Sequence, residues 1–185
     1  PPARLSGNPA EFMLFMPAED TVEIYIEIGS EMGEQPSRER FRAAAARARA
    51  AMRAKRHHGA HIRTSGRLFN EWVEKSVSDL SLLITALPTG PYPYAGIPWF
   101  STAFGRDAII TALQTLWLDS GLAHGVLSFL ARHQATETSS FQDAAPGKII
   151  HETRKGEMTA LHELPFGRYD GCWETPPLFI GLAGA

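Results

Sequence analysis

Residues 106–134 read RDAIITALQTLWLDSGLAHGVLSFLARHQ. Two runs, about Arg106 to Leu118 and about Leu122 to Gln134, are separated only by Asp119-Ser120-Gly121, a break so short that the second run must turn back along the first. The spacing predicts an antiparallel helical hairpin whose members pack side by side, and with it a mainly α chain.

Just before the hairpin, the segment GIPWFSTAFGRDAII, residues 96–110, carries the residue types that a sugar site needs. A sugar presents hydroxyls around its equator and C–H bonds on its faces, so its site combines a flat aromatic wall with forked polar groups. Trp99, Phe100 and Phe104 offer the wall. Arg106, a planar fork of donors, and Asp107, with two acceptor oxygens, can chelate neighbouring hydroxyls. Gly105 lets the backbone come close. An Asp at a helix start is equally what any helix N-terminus favours, with Arg106 paired to it at the surface, so spacing leaves both readings open.

Towards the N-terminus, PTGPYPYAGIPWF (residues 88–100) holds four prolines and two glycines, which predicts a rigid aromatic loop without regular structure. Before it, a helix from about Thr64-Ser65 carries Leu68, Phe69, Trp72, Val73, Ser76, Leu80, Leu83 and Leu87 at helical spacing as far as Pro88, a stripe expected to face a core. Residues 36–60 read as a linker helix opening at Pro36-Ser37. Its arginines (Arg38, Arg40, Arg42, Arg47, Arg49, Arg53 and Arg56, with Lys55) invite a nucleic-acid reading, but Arg is a good helix former and a solvated face explains them without a partner. In residues 11–28, Phe12, Leu14 and Met16, then Val22, Ile24, Ile26 and Ile28, alternate with polar residues. Two strands joined through Pro17-Ala18-Glu19-Asp20 are predicted. A lone hairpin is marginal in water, so residues 1–30 read as the C-terminal edge of a β-rich domain.

Past the helical hairpin, residues 135–173 form a connection longer than the ~12–15 residues usual for structureless loops. Its Phe141, Ile149, Ile150, Met158, Leu161, Phe166, Tyr169 and Trp173 predict an ordered, functional segment. A further helix begins around Pro176-Pro177.

The totals exclude several classes. Hydrophobic residues make up 44% and charged ones 21%, as in a folded globular chain. Eighteen Lys and Arg against 20 Asp and Glu give a net charge of -2, so no basic field points to nucleic acid or acidic membranes. The longest apolar runs fall short of the ~20 residues that cross a bilayer, and the N-terminus shows no export signal. One cysteine, Cys172, fits a reducing compartment, so a cytoplasmic location is expected. His57, His58 and His61 lack a Cys or carboxylate partner at ligand spacing, and neither a metal nor another cofactor is expected. Without an initiator Met, and ending in LFIGLAGA, the chain reads as cut at both ends.

Several blocks in order, RLFNEW (67–72), LPTGPYPYAGIPWFSTAFGRDAIITALQTLWLD (87–119), FLARHQATE (129–137), PGKIIHETRKGEM (146–158) and LPFGRYDG (164–171) followed by PLFIGLAGA (177–185), resemble the amylo-α-1,6-glucosidase and glycogen-debranching family. The resemblance covers about Pro36 to Ala185. It implies a catalytic (α/α)6 barrel related to glucoamylases, of which residues 61–185 would be the N-terminal part. It also implies that Arg106, Asp107 and Trp99 grip a terminal glucose, and that His151, Glu152, Arg154 and Glu157 are secondary binders on a loop over the barrel mouth. For His151, a loop histidine satisfied by a backbone carbonyl remains the alternative. Glu174 stands where the family has Asp, and Pro176 where it has Thr. The family's catalytic acid and base lie in Gly-Trp-Lys-Asp-Ser-like and Val-Gln-Gly-Tyr-like blocks that do not occur here, so they are expected beyond Ala185. An inverting α-glucoside hydrolase acting on glycogen-like glucan is the activity implied. The rival reading is a noncatalytic piece that binds glycan weakly, or that self-associates through an open barrel flank.

Overall fold

Asp119 is where the central hairpin reverses: its backbone is extended, and its side chain accepts a hydrogen bond from the Gly121 amide at 2.9 Å, capping the following helix. In the computed structural model, which describes residues 4–5, 9–28, 35–56 and 59–185, the two helices of the hairpin are α3 (Gly105–Thr115) and α4 (Ser120–Arg132). The others are α1 (Arg38–Arg56), α2 (Arg67–Leu83), the single turn α5 (Glu157–Ala160) and α6 (Thr175–Ala183), which opens on Pro176 and Pro177. The described chain is mainly helical. No described helix is long and apolar enough to cross a membrane.

The chain divides into two compact units, Pro1–Ala50 and Ala51–Ala185. In the first, β1 (Arg4–Leu5) pairs antiparallel with β2 (Ala10–Glu11). The two strands predicted within residues 11–28 do not form among the described residues: residues 12–28 hold no strand, and Ile26 and Ile28 stay exposed. Period-two alternation marks an apolar face, and such a face becomes a strand only when a neighbour supplies hydrogen bonds. Side chains hold this extended segment to α1 instead. Glu27 meets Arg40 at 2.7 Å, Glu23 meets Arg38 at 3.4 Å, and the Tyr25 ring lies 5.7 Å from that of Phe41.

In the second unit, α2 ends at Leu83 rather than running on to Pro88, because Ile84–Leu87 form β3 and pair with β4, Gly90–Pro93. The proline count in 88–100 argued against any strand there. The register explains why β4 forms: Pro91 faces Ala86 and Pro93 faces Ile84, so both prolines fall at alternate positions, where the missing N–H is not asked to donate. α4 lies against β4, and its Gly125 is what permits the approach. A Cβ built there would stand 2.1 Å from the Pro91 carbonyl oxygen. Tyr92, Ile109, Val126, Leu130, Ile149 and Ile150 form the core between the hairpin, the sheet and the long connection. The stripe on α2 is only partly covered: Val73, Leu80 and Leu83 are half-buried, but Leu68, Phe69 and Trp72 are exposed. Helical period shows which face is apolar, not that something lies on it.

Two glycines in helix interiors should respond oppositely to alanine. Gly125→Ala meets backbone and should lower stability by about 1–3 kcal/mol. Gly181→Ala in α6 meets nothing within 4 Å and should raise it by up to about 1 kcal/mol. Urea denaturation of both variants checks the signs.

Candidate functional site

The loop between β4 and α3 is fastened at each step. The Tyr94 amide donates to the Leu83 carbonyl, the Gly96 amide to Phe100, and the buried Tyr92 hydroxyl to the Phe104 carbonyl at 2.9 Å. Residues 149–153 then run alongside: the Gly105 amide donates to His151 at 2.8 Å, the Thr153 amide to Ala103 at 3.1 Å, and Glu152 forms isolated bridges with both Phe104 and Tyr169. A Cβ at position 105 would stand 2.0 Å from the Ile150 carbonyl oxygen, so the close approach requires glycine. The long connection is therefore ordered, as expected, and it is stitched to the aromatic loop.

Between these segments lies a cavity of about 700 Å³. Trp99, Tyr94 and Phe129 give it aromatic surface, while Ser101, Thr102 and Thr153 add hydroxyls. Arg154 is held at its rim by three kinds of contact. Its Nε donates to the buried Glu152 carboxylate at 2.7 Å, an Nη donates to the Trp99 carbonyl at 3.1 Å, and its guanidinium lies 5.7 Å from the Phe104 ring centre and 5.9 Å from that of Phe100. Arg168 also lines the cavity and stands 3.2 Å from the fully buried Asp170, whose pKa is raised by burial. Arg132, His133 and Lys155 complete its polar wall. Among the described residues, no Asp or Glu lines it.

A second polar cluster forms where the N-terminal ends of α3 and α6 meet. Arg106 donates to Glu174 at 2.9 Å and stands 3.7 Å from Asp107. The Cys172 thiol donates to the same Glu174 oxygen at 3.1 Å. The thiol, followed by the local backbone and Arg106, holds the Glu174 carboxyl down at about 2, while burial pushes the Cys172 thiol up. Asp107 does not cap α3, because the cap position belongs to Phe104, but it sits in the first turn, where a negative charge is favourable. One of its oxygens is buried without a hydrogen-bond partner among the described residues.

Of the residues singled out in the sequence, Trp99 and Arg154 line the cavity, with Glu152 directly behind Arg154 and Phe100 beneath its guanidinium. Arg106, Asp107 and Glu174 come together with one another but are not among the residues lining the cavity. By position 106 the chain has entered α3, and the Arg106 side chain meets Glu174 at the start of α6 instead. The His151 ring packs edge-on between Phe104 and Tyr169, and its Nδ1 is buried without a hydrogen-bond partner; Glu157 is exposed in the single turn of α5. His57 and His58 lie outside the described residues. Sequence reading missed Phe129, Arg132 and His133, whose spacing already puts them on one face at the end of α4. It also missed Lys155 and Arg168, for which no local signal exists. No protein-family model matches this sequence, and no curated protein does.

The Glu174 carboxyl should titrate near pH 2 by NMR, below its ordinary 4.5. Because its folded value is depressed, the stability it contributes is fully present above about 4.5 and is lost as pH falls through about 2. Glu174→Gln should flatten acid unfolding across that window.

Proposed function

We propose that the cavity holds one hexose of an α-glucoside, and that this chain is the sugar-gripping part of a glycoside hydrolase of the amylo-α-1,6-glucosidase and glycogen-debranching type. The single observation that carries the reading is the cavity itself. It is sized for a small ligand, has Trp99 and Tyr94 as flat surfaces, and brings hydroxyls and guanidinium forks into the same hollow. The sequence blocks that resemble the family supply both flanks of that hollow, residues 87–103 and 150–168. The hairpin of α3 and α4 with α6 beside α3 is compatible with the opening helices of an (α/α)6 barrel. A cytoplasmic location goes with the reading, since one cysteine suits a reducing compartment.

In this reading the chain binds and orients. Trp99 takes a C–H face of the ring, Thr102 and Thr153 hydrogen-bond its hydroxyls, and Arg154, kept rigid by Glu152 and the Trp99 carbonyl, aims its remaining donors at a ring or glycosidic oxygen. The cluster of Arg106, Asp107 and Glu174 fixes how α6 meets α3. Hydrolysis by inversion needs two carboxyl groups about 6.5–9.5 Å apart across the bond. Among the described residues none lines the cavity, so the acid and base belong outside this wall. The 185-residue chain should therefore bind methyl α-glucoside without releasing glucose from branched dextrins. Trp99→Ala should weaken that binding by up to about tenfold, read by isothermal titration, since an aromatic contact is worth about 0.5–1.5 kcal/mol. Unchanged binding in the variant would remove the reading's support.

One observation favours the rival reading, in which this chain acts in assembly. Leu68, Phe69 and Trp72 expose neighbouring apolar surface on one stretch of α2. If that surface pairs copies of the chain, light scattering should show a mass that rises with concentration, and Trp72→Glu should return it to a monomer.

A further inference from the structure

The charge of the cavity wall is lopsided. Four cationic side chains, Arg132, Arg154, Lys155 and Arg168, line it, and among the described residues no carboxylate does. Glu152 and Asp170 partly balance Arg154 and Arg168, but they do so from buried positions that are not part of the wall. Arg132 and Lys155 are exposed and make no ion pair among the described residues. A neutral sugar wants acceptors as well as donors, because each hydroxyl donates one hydrogen bond as well as accepting. This wall offers hydroxyl acceptors but no carboxylate, and it gathers positive charge around one hollow. Resting on the α-glucoside reading, we infer that the ligand of this cavity is a hexose bearing an anionic substituent, a phosphate or a carboxylate. The ring lies against Trp99, and the anion lies between Arg132 and Lys155, the two cations that no carboxylate claims.

Isothermal titration of the 185-residue chain with glucose 6-phosphate, glucuronate, methyl α-glucoside and inorganic phosphate tests this. The expected result is that glucose 6-phosphate or glucuronate binds about tenfold more tightly than methyl α-glucoside and inorganic phosphate, a preference that shrinks as salt is raised. Whichever of the two binds more tightly identifies the anion. Arg132→Ala with Lys155→Ala, both at exposed positions, should bring glucose 6-phosphate and glucuronate down to the affinity that the same variant shows for methyl α-glucoside, while Lys75→Ala on α2 should change nothing. Equal affinity for the charged and neutral sugars would overturn the anion inference and leave the glucoside reading standing. Inorganic phosphate binding as tightly as the charged sugars would keep the anion site and overturn the sugar. Binding of none of the four would overturn both.

Discussion

The hydroxyl of Tyr92 donates to the carbonyl of Phe104 from a fully buried position, and the rest of the site depends on that bond. Tyr92 belongs to β4, which α4 covers at Gly125; Phe104 is the last residue before α3 and bridges to Glu152. One buried hydrogen bond thus ties the sheet to the turn that starts α3, and through Phe104 to the long connection. Burial raises the phenol's pKa, so the proton stays in place at any ordinary pH. Losing the bond would leave a buried carbonyl without this donor, a penalty of about 1–3 kcal/mol on top of the lost packing.

That anchor divides the aromatic loop between two tasks. Upstream of Phe104, Trp99 and Thr102 line the cavity, Trp99 at its open edge with 78% of its surface exposed. Downstream of it, Arg106 turns towards Glu174 at the start of α6, with Asp107 3.7 Å from its guanidinium. The two polar systems are built differently. At the helix ends the one guanidinium has carboxylates on two sides, Asp107 and Glu174. At the cavity the carboxylates are buried behind the wall, and the cations face the open space. A group satisfied by its neighbours holds structure together, whereas a group held in place but left with spare donors can recognise a ligand.

The sequence made the central helices legible because their signals are local. Asp119 caps the next helix with its own side chain, and Pro176-Pro177 opens a helix on the strength of two residues. The order within residues 135–173 was legible only through part of its apolar content: Ile149 and Ile150 are buried, whereas Phe141, Met158, Leu161 and Trp173 are exposed. β4 was hidden because counting prolines ignores their parity. Residues 12–28 and the α2 stripe misled because periodicity reports a face and says nothing about its neighbour. The cavity was half legible: Trp99 and Arg154 belong to conspicuous blocks, but Arg168 reaches the wall only because Tyr169 pairs with Glu152, a contact that spans the whole connection.

On the proposed reading, a sugar enters the cavity beside Trp99 and not the cluster at the ends of α3 and α6. Amide chemical-shift mapping by NMR during titration with methyl α-glucoside tests it most directly. Shifts should concentrate at Trp99, Thr102, Thr153 and Arg154, with Arg106 and Glu174 unmoved. Shifts centred on Arg106, Asp107 and Glu174, with the cavity residues silent, would contradict it.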